Sequence, residues 1–181
     1  MDCYGGKELA DAFRTVRKNT LQVAEDIPES KYDFVAAPDV NTVRRMLTHI
    51  AVSTRFWEET DGKGLTTMQG FDFMPLLEKS QADESHQRTK AEIIQLLRSN
   101  GEKFATWLET LSPEVLAQSV TEPDGKTVKS RFERILGAKE HEMHHRAQLM
   151  LIERQLGIVP HLTRQRQERM AQIKAQRTAS A

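Results

Sequence analysis

Apolar side chains recur at helical spacing through most of this chain, and that pattern leaves little room for anything but packed helices. Between residues 43 and 57 the stripe runs Val43, Met46, Leu47, Ile50, Thr54 and Trp57. Steps of three and four keep those side chains on one helix face, whereas a strand would alternate them. Residues near 6–26 repeat the pattern less regularly with Leu9, Phe13, Val16, Leu21 and Val23. That segment stops before Pro28, whose ring cannot continue a helix. A third stripe of Ile93, Ile94, Leu97, Phe104, Trp107, Leu108 and Leu111 predicts a helix over 83–111. A fourth helix is expected from Thr127 to Gly157.

The residues between these segments act as punctuation. Asp39 or Asn41 is placed to cap the second helix, since a short polar side chain can accept the helix's first free amides. Thr60-Asp61-Gly62-Lys63-Gly64 ends it, and residues 65–82, with Gly70, Phe71, Phe73 and Pro75, read as a linker. Ser112-Pro113-Glu114 opens a short helical turn, and Pro123-Asp124-Gly125 is a tight turn. Thr127 is expected to cap the fourth helix, with Gly157 and Pro160 as its stop. Four amphipathic helices with few strand-like segments imply an all-α four-helix bundle over residues 1–160. Residues 161–181 form a polar, helix-permissive tail. From Thr163 onward its only apolar residues larger than alanine are Met170 and Ile173.

Composition narrows the function by exclusion. With 26 basic and 26 acidic side chains the formal net charge is zero, so composition supplies no field for gathering nucleic acid. The single cysteine, Cys3, rules out a disulfide framework and a thiolate-rich metal site within one chain. No apolar run reaches the ~18 residues of a membrane span, and no secretory segment is evident at the N-terminus. The expected compartment is the cytoplasm.

Six histidines are present, and three of them fall into a pattern that bears on chemistry. The fourth helix contains Glu140-His141-Glu142-Met143-His144-His145-Arg146. Side chains four apart stand one above the other, so His141 and His145 can converge on one ion. His144 is rotated by about 100° from His145 and points elsewhere, as a surface or supporting residue. His49, between Met46 and Ser53 at the margin of the second stripe, is the best third ligand. His86, in a polar stretch, and His161, after Pro160, read as exposed. Spacing alone leaves alternatives, because His-x-x-x-His also occurs on solvated faces and in pH-sensitive contacts.

Three short stretches carry a resemblance to the DinB/YfiT-like family. Thr48-His49-Ile50 resembles the family's second-helix histidine. His141-Glu142-Met143-His144-His145-Arg146-Ala147-Gln148-Leu149 is similar to its H-x-x-H-H-R-G-Q-L run, with Ala147 where glycine is common. Leu156-Gly157-Ile158-Val159-Pro160 resembles the usual end of that helix. The resemblance implies a four-helix bundle whose residues matching His49, His141 and His145 hold a divalent metal, usually zinc or nickel. It also implies a homodimer, an expectation to which the extent of apolar helix surface adds, and use of a low-molecular-weight thiol with an electrophilic substrate.

Three imidazoles leave a coordination position open, as catalytic sites do. A metal-dependent thiol S-transferase or hydrolase is therefore the leading expectation. The alternatives are a non-catalytic metal-binding stress-response module and a helical interaction protein. No catalytic residue is assigned. Glu140 and Glu142 point away from the histidine line, Glu142 being expected in solvent or in a supporting position. Arg146 and Gln148 suit helix packing or subunit contacts equally, and Asp39 or Glu58 is placed to orient His49 from outside.

Overall fold

The structure, a computed structural model, describes residues 4–179, so Cys3 lies outside it. The first helix, α1 (Gly6–Asp26), leads through a 3₁₀ turn (Glu29–Lys31) into α2 (Val43–Thr60). Then come α3 (Met74–Ser85), α4 (Lys90–Glu109), the single turn α5 (Pro113–Leu116), strands β1 (Ser119–Thr121) and β2 (Val128–Ser130), α6 (Arg131–Gln155) and α7 (His161–Ala179). The long helices α1, α2, α4 and α6 pack as the four-helix bundle.

Local chemistry fixes most boundaries, and in places it corrects the expectations above. Thr42, not Asp39 or Asn41, caps α2 by accepting from the Arg45 amide at 3.1 Å. Asp39 instead adopts a left-handed backbone with φ 63°. The helix expected over 83–111 is two helices, because Thr89 and Glu92 form a reciprocal capping box that starts α4 afresh. The preceding α3 buries none of its residues and occupies part of the expected linker. Ser130, boxed with Glu133, caps α6. Thr127 serves the turn before it, donating its hydroxyl to Asp124 at 2.6 Å. The residues between are strands, not helix: β1 and β2 form an antiparallel hairpin pairing Ser119 with Ser130 and Thr121 with Val128. Gly157, at φ 76°, ends α6 where expected; the Ile158 amide donates back to the Glu153 carbonyl at 2.8 Å.

The core has two apolar layers. One gathers Val23, Ile27, Leu47, Ile50, Leu97 and Leu149; the other gathers Leu9, Phe13, Phe104, Leu108 and Ile135. Between them, by position along each helix, lies a buried ion pair. The Arg17 guanidinium of α1 donates to Glu142 of α6 at 2.9 Å, to the Leu97 carbonyl of α4 at 2.6 Å and to the Ile50 carbonyl of α2 at 3.3 Å. One side chain thus ties all four helices at mid-height. Gly101 makes room for it, since a Cβ there would lie 2.8 Å from Arg17 Nη1.

Helix α7 docks by its first turn alone. His161 is buried, contrary to expectation, because Pro160 turns the chain back onto α1; its Nε2 lies 3.2 Å from Asn19 Oδ1. Arg164 pairs with Asp26 at 2.6 Å. From residue 165 to residue 179 every side chain is exposed, Met170 and Ile173 included. Near this joint Glu153 is fully buried, and neither carboxylate oxygen has a hydrogen-bond partner among the described residues. Burial, reinforced by the charge of Asp26, pushes its carboxyl up from 4.5 to about 7.

A folded value above the unfolded one means that this acid supports the fold best below pH 4.5. It loses that contribution as pH rises towards about 7. Relative to Glu153→Gln, the native protein is expected to lose about 3 kcal/mol between pH 4.5 and 7.5, at about 1.4 kcal/mol per unit. Urea denaturation of both proteins across that range reads the difference directly. Parallel stability curves would show that Glu153 stays solvated.

Candidate metal centre

His49 on α2 and His141 and His145 on α6 meet on one side of the Arg17–Glu142 pair. Their sequence neighbours explain why. Ile50 and Leu149 hold the backbones against the core, and Glu142 faces Arg17 of α1. The residues at 141 and 145 are thereby turned towards α2. The His141 Nε2 atom lies 3.0 Å from His49 Nε2 and 3.2 Å from His145 Nε2. The ring centroids are 4.6–4.9 Å apart. One ligand atom from each residue falls within 4.8 Å of the others, the single such cluster of three among the described residues.

The opposite nitrogens set the protonation. His49 Nδ1 donates to Glu84 Oε1 at 2.7 Å, and His145 Nδ1 donates to Gln148 Oε1 at 2.9 Å. A neutral ring whose Nδ1 carries the proton turns a lone pair out of Nε2, so two lone pairs converge on His141. The His141 ring has one proton to offer. On Nε2 it can satisfy one neighbour and not both. On Nδ1 it is wasted, because that atom is buried with no partner among the described residues. Protonating His141 or His145 is no remedy. Burial, with the charges of the surrounding histidines, lowers His141 to about 4, and burial lowers His145 too.

A divalent cation resolves the conflict. Three nitrogens about 2.1 Å from a tetrahedral zinc are about 3.4 Å apart, close to the 3.0 and 3.2 Å found. Carboxylate and amide partners on the far nitrogens are the supports that metal-binding imidazoles use. The residues therefore fit the group.

The cluster opens on a cavity of about 500 Å³. Phe56, Trp57 and Leu77 form its apolar wall; Arg45, Ser53 and Glu84 are polar. Trp57 is locked by its indole N–H, which donates to the Arg134 carbonyl at 2.9 Å, and its ring lies 5.9 Å from that of His141.

Of the other sequence expectations, those for Glu142, Asp39 and Glu58 are corrected, and those for His86, His144 and Arg146 agree with the structure. Glu142 is neither solvated nor a support of the histidines; it is 2% exposed and neutralises Arg17. Neither Asp39 nor Glu58 reaches His49, and Glu58 pairs with Lys103 at 3.1 Å instead. The orienting carboxylate is Glu84, which sequence reasoning missed. It lies in a polar run on α3, with no signal to set it apart until α3 folds back along α2. His86 and His144 are exposed, and Gln148 Nε2 lies 3.3 Å from His144 Nε2. Arg146 packs α6 against α1, donating to the Val16 carbonyl at 3.4 Å.

Comparison with known proteins places this geometry in a family. YfiT from Bacillus subtilis, described as a probable metal-dependent hydrolase with an unusual four-helix bundle topology, superposes with a TM-score of 0.67 at 18% identity. The match covers 84% of this chain and 88% of YfiT. The DinB-like protein YjoA, also from Bacillus subtilis, gives 0.62 at 20% identity over 83% of this chain and 92% of its own. At these identities the likeness is one of fold. No curated protein sequence matches the chain. The DinB superfamily pattern matches residues 12–149, a span that includes all three converging histidines, and the chain therefore belongs to the DinB superfamily.

Proposed function

We propose that the protein is a metal-dependent enzyme in which His49, His141 and His145 hold one divalent cation, zinc or nickel, at the floor of the cavity. One observation carries the reading. Three imidazole Nε2 atoms converge, that of His141 lying 3.0 and 3.2 Å from those of His49 and His145, on residues that line the cavity. The hydrolase description of YfiT supports the same class. A cation held there supplies Lewis acidity, which acidifies a bound water or thiol and polarises a carbonyl.

The chain's own residues do the rest. Glu84 and Gln148 fix the tautomers of His49 and His145. Phe56, Trp57 and Leu77 give the cavity its apolar wall. Hydrolysis and thiol transfer share one bookkeeping: the nucleophile's oxygen or sulfur bonds to an electrophilic carbon, and the leaving group departs with the bonding pair and takes the nucleophile's proton. Thiol transfer is the second reading, and Glu84 favours it. This is the only carboxylate among the lining residues, and both its oxygens are engaged, by His49 and by Arg45. A thiol bound to a cation held by the three histidines would be kept as thiolate and would need no general base.

The test uses protein prepared without a nickel column, then loaded with zinc or nickel and compared with its metal-free form. 4-Nitrophenyl acetate reports hydrolysis, and cysteine with 1-chloro-2,4-dinitrobenzene reports thiol transfer. Turnover in the loaded protein alone supports an enzyme and selects the reaction. Metal uptake with equal background rates for both substrates would leave a metal-binding module.

A further inference from the structure

Helix α2 presents its cavity-lining residues in a fixed order. Arg45, His49, Ser53 and then Phe56 and Trp57 follow at steps of three and four, forming one stripe. At 1.5 Å per residue, Arg45 lies about 6 Å before His49 and Trp57 about 12 Å beyond it. The two ends of the stripe differ in chemistry.

At the first end stands a cation with unused donors. Arg45 touches Glu84 only through Nε, at 3.4 Å, and its side chain is 49% exposed. Its Nη1 and Nη2 have no hydrogen-bond partner among the described residues. Glu84 is 9% exposed and committed to His49, so the charge that this end shows to the cavity is the guanidinium fork. At the other end the surface is aromatic and held in place. Phe56 and Trp57 meet edge to face at 5.3 Å, and Phe56 stacks on Phe73 at 5.9 Å. The only polar atom of the Trp57 ring is spent on the Arg134 carbonyl, which leaves hydrocarbon for a ligand.

We propose that the cavity takes an organic carboxylate bearing an aromatic or branched apolar group. The carboxylate is held in the fork of Arg45 Nη1 and Nη2, the apolar group lies against Phe56 and Trp57, and the bond between them lies over the three histidines. A planar fork matches a carboxylate, two oxygens to two N–H groups. The neighbouring Glu84 charge disfavours a dianion such as a phosphate monoester. The placement of the central bond rests on the metal reading above; the two ends do not.

Isothermal titration calorimetry of the zinc-loaded chain tests this with three probes. Hippurate carries a carboxylate and a phenyl ring, hippuramide lacks the charge, and N-acetylglycine lacks the ring. Hippurate is expected to bind about tenfold more tightly than either of the others. Arg45→Gln should erase its advantage over hippuramide while zinc content stays unchanged. Equal binding of hippurate and hippuramide would overturn the proposal. So would a preference that survives Arg45→Gln, which would place the carboxylate elsewhere, for example on the metal. Zinc uptake without any preference sinks the carboxylate site alone. A preference lost in Arg45→Gln, in a chain that takes up no zinc, sinks the metal reading alone.

Discussion

Replacing His145 with alanine is expected to lower bound zinc from about one ion per chain to near zero without unfolding the bundle. Apparent zinc binding energies of about 10–16 kcal/mol in structural sites correspond to a few kcal/mol for each ligand, so losing one of three costs about 10²–10³-fold in affinity. Stability gives an independent readout. At a hundredfold excess over Kd, zinc adds about 2.7 kcal/mol to the native state. In a domain of this size that is about 5–10 °C of melting temperature, and the variant should show none of it. Its metal-free form should melt no lower than the metal-free native protein, because the alanine removes one of the opposed lone pairs. Glu84→Ala keeps all three imidazoles and should fall between, with a loss of about 10–100-fold in affinity. Equal zinc content and equal melting shifts in native protein and His145→Ala would remove His145 from the site.

Arg17→Met is expected to cost about 3–5 kcal/mol, the largest single effect on the fold. The penalty comes less from the lost attraction than from what remains. Glu142 is 2% exposed, and without the guanidinium its carboxylate is buried and unpaired. The Leu97 and Ile50 carbonyls also lose the donors that Arg17 supplied. The double variant Arg17→Met/Glu142→Leu should therefore recover much of the loss, since replacing a whole buried pair by apolar side chains is often close to neutral. Urea denaturation of the four proteins gives the coupling energy. A cost below about 1 kcal/mol for the single variant would mean that water reaches the pair.

Helix spacing carried most of the bundle into the sequence. α1 agrees with its expected span, α2 lies where its stripe placed it, and α6 lies within the expected Thr127–Gly157, because each buries one face against the core. The His-x-x-x-His pair was legible for the same reason: four residues on a helix is a fixed geometric step. Contacts between elements were not legible. Glu84 acquires its role only when α3 lies against α2, and α3 has no buried face to announce where it goes. Glu142 looked like one more charge in a charged run; its partner lies 125 residues away on α1. His161 follows a proline that can start a loop or turn a chain inward, and only the packing of α7 on α1 distinguishes them. The hairpin that displaces the expected cap at Thr127 is three residues per strand, too short to leave an alternation.

Helix α7 changes the meaning of a net charge of zero. From His161 onward there are five basic side chains and one acidic, a local charge of +4, so residues 1–160 carry −4. The cations ride on a helix of 19 residues, about 28 Å long, whose side chains beyond Arg164 are exposed. The molecule is thus a dipole with opposite poles on bundle and tail, and its balanced composition conceals that. In physiological salt each pole is felt only within about 8 Å. The tail acts on what comes into contact with it, and it steers nothing from a distance.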